Sequence, residues 1–338
     1  MVLGRNTKII VSILIAIVII FLAFRAVAEN KDKKFVSVAT ASTGGTYYPI
    51  GVGMANLWSQ HLKEEQIHAS GQSSAGSIEN IDLLRKGEAQ LAILQGLMAV
   101  DAYTGVGSFE GDKYEDLRAI SMLWPNVEHF VLMENKQKTG TLSDIEGTRF
   151  SVGPQASGTE QSTLVIMEGM SMDKESINPE YLGYDDTISS MRDGRLDGGS
   201  LPAGIPASAI TDMYASGVKS DVLEVTDEQL EAVNAVSNSW FRFVIPGGTY
   251  PKVDEDINTI AQPNILTASK ELDEETVYLL TKTLYENLEQ MYDSHSAAKN
   301  IKLETALEGV TIPLHAGAYR YFKEVGLSIP DEIIPPEA

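Results

Sequence analysis

Along most of the chain, short apolar runs alternate with segments of helical period, and small polar residues fill the gaps between them. That alternation predicts an α/β fold in which strands feed helices through short loops. Residues 35–39 read as a first strand, followed by Ser42-Thr43-Gly44-Gly45-Thr46-Tyr47-Tyr48-Pro49. Pro49 suits the first turn of a helix, where its missing N–H costs nothing. Ile50, Met54, Leu57 and Trp58 then share one face at i, i+4, i+7 and i+8. A second strand over 66–70 precedes a helix that carries Ile78, Ile81 and Leu84 inward and stops near Gly87. Residues 91–95 are a third strand, with another helix after Gly96.

The same order recurs further on. Ser143-Asp144-Ile145-Glu146 has capping-box spacing, and Gly147 closes the short helix it starts. A strand over 149–152 runs through Gly153 to Glu160 into a helix over 159–170. A strand over 196–200 leads through Pro202-Ala203-Gly204-Ile205-Pro206 to a helix around Ile210. The segment 274–292 is the clearest helix, with Val277, Leu280, Thr283, Leu284 and Leu288 along one side.

No internal repeat or long linker interrupts this order. Two lobes therefore share the chain by crossing twice: 34–130 with 248–338 in one lobe, 131–247 in the other. The crossings are expected near Val131 and between Phe243 and Gly248, making a hinge and leaving a cleft between the lobes.

The amino terminus breaks the pattern. Arg5 and Lys8 precede an apolar run over 9–24, interrupted only by Ser12 and followed by Arg25-Ala26-Val27-Ala28. This is the order of a secretory signal, 1–28, with cleavage after Ala28. The alternative is an uncleaved anchor, but sixteen residues at about 1.5 Å each span roughly 24 Å, short of the roughly 30 Å apolar core. Both readings place the remainder outside the cytoplasm, in a periplasmic or other extracytoplasmic space.

Formal net charge is −21 for the whole chain. Such a balance argues against nucleic acid, since phosphate contact needs clustered Lys and Arg. It does not exclude an anionic ligand, because backbone N–H groups in a recess are locally positive whatever the exterior carries. The absence of cysteine excludes disulfides, thiolate zinc sites, cysteine nucleophiles and lipoprotein anchoring.

Catalytic signatures do not emerge, and no cofactor or metal is expected. Gly71-Gln72-Ser73-Ser74-Ala75-Gly76 has one residue too many for a nucleophile elbow. Gly44-Gly45-Thr46 lacks the lysine of a phosphate loop. His61, His68, His129, His295 and His315 show no metal-ligand spacing. Asp254-Glu255-Asp256 reads as a solvated acidic loop. The Gly/Ser/Thr loops are more informative. Where a strand ends and a helix begins, unpaired N–H groups sit at the positive end of the helix dipole. Several such loops facing one cleft would hold a carboxylate without Arg or Lys.

Thr43-Gly44-Gly45-Thr46-Tyr47-Tyr48-Pro49 closely resembles the signature of the TAXI family of TRAP-transporter solute receptors. The resemblance continues through Gly76-Ser77-Ile78-Glu79-Asn80, Ser157-Gly158-Thr159-Glu160, Ala203-Gly204-Ile205-Pro206 and Ile245-Pro246-Gly247-Gly248 to Pro313-Leu314-His315-Ala316-Gly317. It implies a two-lobed periplasmic-binding-protein fold of type II-like form, closing over a small dicarboxylate or acidic amino acid such as glutamate or 2-oxoglutarate. It also implies membrane permease subunits as partners; a sensory receptor partnering a membrane sensor protein is the alternative. By motif position, Gly44, Gly45, Thr46 and Tyr47 are first-lobe ligand contacts, with Ser77 and Asn80 at the next helix start and Gln95 at a strand end. Ser157, Gly158, Thr159 and Glu160 face them from the second lobe, with Ala203 and Gly204 nearby, although Glu160 also fits as a cap of its own helix. The chain departs from the family at Ala75 and at Gly198-Gly199-Ser200-Leu201. The second change is expected beside the pocket, where it would enlarge the cavity or alter ligand choice.

Overall fold

The computed structural model describes residues 33–337; the signal or anchor expected over 1–28 lies outside them. In chain order the first elements are β1 (Lys34–Ala39), α1 (Tyr47–His61), β2 (Ile67–Gln72), α2 (Ser77–Arg85), β3 (Leu91–Gln95), α3 (Gly96–Thr104) and β4 (Leu117–Val127). The middle of the chain adds β5 (Phe130–Met133), β6 (Arg149–Ser151), α4 (Gly158–Gly169), β7 (Asn178–Glu180), α5 (Tyr184–Arg192), β8 (Gly198–Ser200), α6 (Ser208–Ala215), β9 (Ser220–Val222) and α7 (Asp227–Val236). The last part supplies β10 (Phe241–Ile245), β11 (Ile257–Ser269), α8 (Glu274–Glu286), α9 (Leu288–Tyr292) and α10 (Ala316–Glu324).

Two sheets result, as the α/β, two-lobed reading expects. One has six strands in the order β10-β11-β3-β1-β2, with β4 also paired to β11. The other has five strands in the order β7-β6-β8-β5-β9. Strands β1, β2 and β3 are parallel, so each must return through a helix and presents its carboxyl end to the following loop. Every residue of β3 is buried, as expected for a strand covered on both faces. Helix α1 buries Ile50, Met54, Leu57 and Trp58, and the Trp58 indole donates to the Leu280 carbonyl at 2.8 Å.

Strand β11 holds the first sheet together and was not legible as one strand. Its first half pairs with β10 up to Ala261, and its second half pairs with β3 from Asn264. Pro263 lies at this change of partner, facing Pro125 of β4, with a register shift immediately after. Proline donates no ladder hydrogen bond, so it belongs where pairing is handed from one strand to another.

Three expectations need correction. The helix expected over 274–292 is broken at Asn287, whose backbone leaves the helical region and whose amide donates to the Thr283 carbonyl at 2.8 Å. Asparagine competes with the helix in this way. Ser143 does not cap; it lies inside a short 3-10 turn, Leu142–Ile145, while the Asp144 carboxylate accepts the N–H groups of Lys138, Thr139 and Gly140 at 2.8 Å each. Finally, Phe241–Ile245 belongs to the first sheet, so the chain has returned before Phe243. The glycines read as a crossing form a hairpin loop: Gly248 adopts φ +81°, and Gly247 N–H donates to the Asp256 carboxylate at 2.8 Å. That loop still reaches the second lobe, where Tyr250 stacks on Tyr214 with ring centres 6.0 Å apart.

The first crossing is Glu128–His129, between β4 and β5, and both side chains are fully buried. His129 is neutral: burial pushes its imidazole down to about 4. Nδ1–H donates to the Val127 carbonyl at 2.9 Å and Nε2 accepts from the Tyr250 hydroxyl at 2.8 Å. Glu128 Oε1 accepts from the Trp240 indole at 2.9 Å, while Oε2 has no partner among the described residues. Burial pushes this carboxyl up to about 7 from an ordinary 4.5. Between those values the folded protein keeps a proton that the unfolded chain has lost. Stability therefore falls as pH rises through this window, by something on the order of 3 kcal/mol. Replacing Glu128 by Gln removes that dependence. Urea unfolding should show the variant close to the parent at pH 5 and more stable by about 2–3 kcal/mol at pH 8; an equal difference at both pH values contradicts the assignment.

Candidate functional site

The loops that follow β1, β2 and β6 converge between the two sheets. Around them lies a small, narrow recess. Its walls bring together Gly45, Thr46 and Tyr47 at the start of α1, Ser77 at the start of α2, Gln95 at the end of β3, and Gly158 and Thr159 at the start of α4. The first N–H groups of each helix have no carbonyl one turn back to accept them, so three positive helix ends meet at one place. None of the lining residues carries a charge at neutral pH.

The lobes touch directly around this recess. Thr46 Oγ1 accepts from Gly204 N–H at 2.8 Å and lies 3.3 Å from the Gly204 carbonyl. The Gly44 carbonyl accepts from Ser208 Oγ at 3.0 Å, and Glu79 N–H donates to the Ala156 carbonyl at 3.1 Å. Further out, Ser108 Oγ donates to Gln161 Oε1 at 2.7 Å. These bonds cross from the first sheet's lobe to the second's, so the cleft is closed.

Two tyrosines shape the walls, and burial holds both phenols well above their ordinary range, as neutral groups. Tyr47 donates to Asn264 Oδ1 and meets Trp124 edge-on at 5.8 Å between ring centres. Tyr184 donates to the Pro202 carbonyl at 2.7 Å and pairs with Thr159 Oγ1 at 2.9 Å. Ser77 Oγ accepts from Gln95 N–H at 3.1 Å, joining the second helix start to the end of β3.

Six of the residues expected at the site take other places. Gly44 lies at the lobe contact beside Asp185. Asn80 is fully buried beneath the recess and donates to the carbonyls of Thr40 and Ile93 at 2.7 and 2.9 Å, tying β1 to β3. Ser157 caps α4 by accepting from Glu160 N–H at 3.0 Å. The Glu160 carboxylate accepts from Ala156 N–H at 3.1 Å, the capping alternative, and Glu79 does the same to Ala75. Ala203 pairs with Val127 at the crossing through two bonds of 2.9 Å. Gly204 is the contact to Thr46, and a side chain there would press on the Trp124 ring at 2.8 Å.

Sequence reasoning did not assign Asn126, Tyr184, Ser42, Gly76, Pro154 or Pro202 to the site, yet all line it. A signal existed for Asn126, a polar residue that follows the apolar stretch Met122-Leu123-Trp124-Pro125 near the end of β4. Gly198 to Leu201 do not line the recess; Gly198 and Gly199 sit inside the second sheet, where a Cβ on Gly198 would lie 2.4 Å from the Val131 carbonyl. Their smallness serves strand packing and leaves the size of the cavity unchanged.

Residues 38–326 match the model of the NMT1-like family, and the chain belongs to that family. Among solved structures, the ligand-binding component of an ABC-type import system from Staphylococcus aureus, with zinc bound, is 12% identical. The match covers 90% of this chain and 97% of that one, with a TM-score of 0.50. XAC2383 from Xanthomonas citri, bound to ATP, is 9% identical over 87% of this chain and 96% of that one, also at 0.50. The periplasmic aliphatic sulphonate binding protein SsuA from Escherichia coli is 13% identical over 87% and 84%, at 0.46. At these identities the likeness is one of fold.

Gly158 lies at a close approach of the two lobes. A Cβ there would lie 2.5 Å from Gln95 Oε1 and 2.7 Å from Ser77 Oγ, both on the opposite lobe. Gly158→Ala should leave the unfolding free energy within about 1 kcal/mol, since the helix itself tolerates alanine. It should hold the lobes apart. In small-angle scattering, a solute that compacts the parent protein should fail to compact the variant; equal compaction would show that the contact does not limit closure.

Proposed function

We propose that this chain is an extracytoplasmic solute receptor that captures a small carboxylate and hands it to membrane permease subunits. The observation that carries the reading is the recess itself, neutral and narrow, to which both lobes contribute helix starts. A carboxylate in it would accept hydrogen bonds from N–H groups of α1, α2 and α4 at once, and so would tie the lobes together. Cation-free lining does not weaken such a site, because the helix dipoles supply the positive potential in a dry setting.

The fold supports the receptor class, since ligand-binding components of import systems share it. The leader over 1–28 supports export. Motif order from Thr43 to Pro49 and onward supports a TRAP-type transporter of the TAXI kind, whose ligands include dicarboxylates and acidic amino acids. An ABC-type importer is the second reading, favoured by the fold likeness to the Staphylococcus aureus component. Adjacent genes for multi-span permeases or for an ATPase would separate the two. In this proposal the chain does no chemistry on its cargo: the site offers hydrogen-bonding groups and no nucleophile aligned with a base.

A thermal-unfolding screen over organic acids and amino acids tests the reading. A ligand at 100 times its dissociation constant should add about 2.7 kcal/mol of stability. Thr46→Ala removes one side of the contact to Gly204 and should weaken binding of that ligand by about 0.5–3 kcal/mol with the fold retained. Stabilisation by cationic or uncharged solutes only, with carboxylates inert, would overturn the proposal.

A further inference from the structure

Asn126 stands apart from the rest of the wall. It is 1% exposed, and both its amide nitrogen and its amide oxygen lack a hydrogen-bond partner among the described residues. Gln95 is 3% exposed, and its Oε1 is unpartnered as well. Both residues line the recess. A buried polar atom without a partner is costly, and groups left unmatched around one cavity point to a bound molecule that matches them.

The kinds of atom matter. Helix starts offer N–H donors alone, which suit the oxygens of a carboxylate. Gln95 Oε1 and Asn126 Oδ1 are acceptors, and no carboxylate or ketone oxygen can satisfy them. Turning the Asn126 amide over exchanges its two atoms but still leaves one donor and one acceptor without a partner among the described residues. The matching ligand therefore carries a donor of its own next to its anionic group.

We infer that Asn126 and Gln95 are specificity-determining residues, and that they select a carboxylate bearing a hydroxyl or ammonium group on the adjacent carbon over the keto and unsubstituted acids of the same skeleton. The inference rests on the receptor reading above and narrows its ligand class. Asn126 also belongs to β4, opposite Gln262 in the ladder and two residues before the crossing at Glu128. A ligand held there contacts the strand on which the lobes turn.

Calorimetry with matched sets tests this: lactate, alanine, pyruvate and propionate; malate, aspartate, oxaloacetate and succinate; 2-hydroxyglutarate, glutamate, 2-oxoglutarate and glutarate. Within whichever set binds, the hydroxy or amino acid should bind at least about tenfold more tightly than the keto and unsubstituted members, because a site built around a donor rejects analogues that lack it. Asn126→Ala and Gln95→Ala should each shrink that ratio while keeping some binding. A keto or unsubstituted acid that binds the parent protein equally well, or better, overturns the inference and leaves the receptor reading standing. Binding by none of the sets removes the carboxylate reading and the inference together. The parent comparison decides even if a variant does not fold.

Discussion

Between Gly158 at the start of α4 and the side chains of Gln95 and Ser77 a methyl group fits only if those side chains shift. That closeness brings a helix start of one lobe against a strand end and a helix start of the other. Three positive helix ends can then act on one small volume, which no single lobe provides. The surrounding contacts, Thr46 to Gly204 and Gly44 to Ser208, are backbone or hydroxyl hydrogen bonds of modest net strength. Bonds of this kind separate readily in water, so the closed arrangement is sensitive to anything that adds a few more of them across the cleft.

The chain passes between the lobes beside this contact. Glu128 and His129 are buried where β4 passes into β5, clamped by Thr259, Ile260 and Leu201 through bonds of 2.8 to 2.9 Å. Burying two ionisable groups there disfavours their charged forms: the carboxyl tends to keep its proton and the imidazole tends to lose one. Between about pH 4 and pH 7 the crossing is therefore locally uncharged. Polar atoms beside it, at Asn126 and at Glu128 Oε2, have no partner among the described residues. Asn126, which lines the recess, stands two residues before Glu128 in the chain.

Much of this architecture could be read from residues alone, and the limits have physical causes. Leu91–Gln95 is a continuous apolar run ended by a polar residue, and the structure has that strand with the same ends. The helix expected over 159–170 forms as Gly158–Gly169, but Ser157, expected as a ligand contact, is its N-cap. Strands β4 and β11 were hidden because Pro125, Asn126, Gln262, Pro263 and Asn264 interrupt their apolar pattern. The site was legible as loops and less so as contacts. The family resemblance brought Asn80 and Glu160 to the right helix starts, but only geometry shows that Asn80 faces backbone carbonyls and that Glu160 takes its capping alternative on Ala156. Asn126 and Tyr184 come from distant parts of the chain, and local pattern holds no information about such meetings.

The account depends most on the lobes closing because a ligand bridges them. The chain has no native cysteine, so a spin-label pair can be placed without interference. Lys86 and Glu175 are exposed, one on each lobe. Pulsed electron-electron distance measurement on the Lys86→Cys, Glu175→Cys variant would read the separation directly. A carboxylate that stabilises the protein should convert a broad distribution into one narrow, displaced peak. An identical distribution with and without saturating carboxylate would contradict closure by bridging.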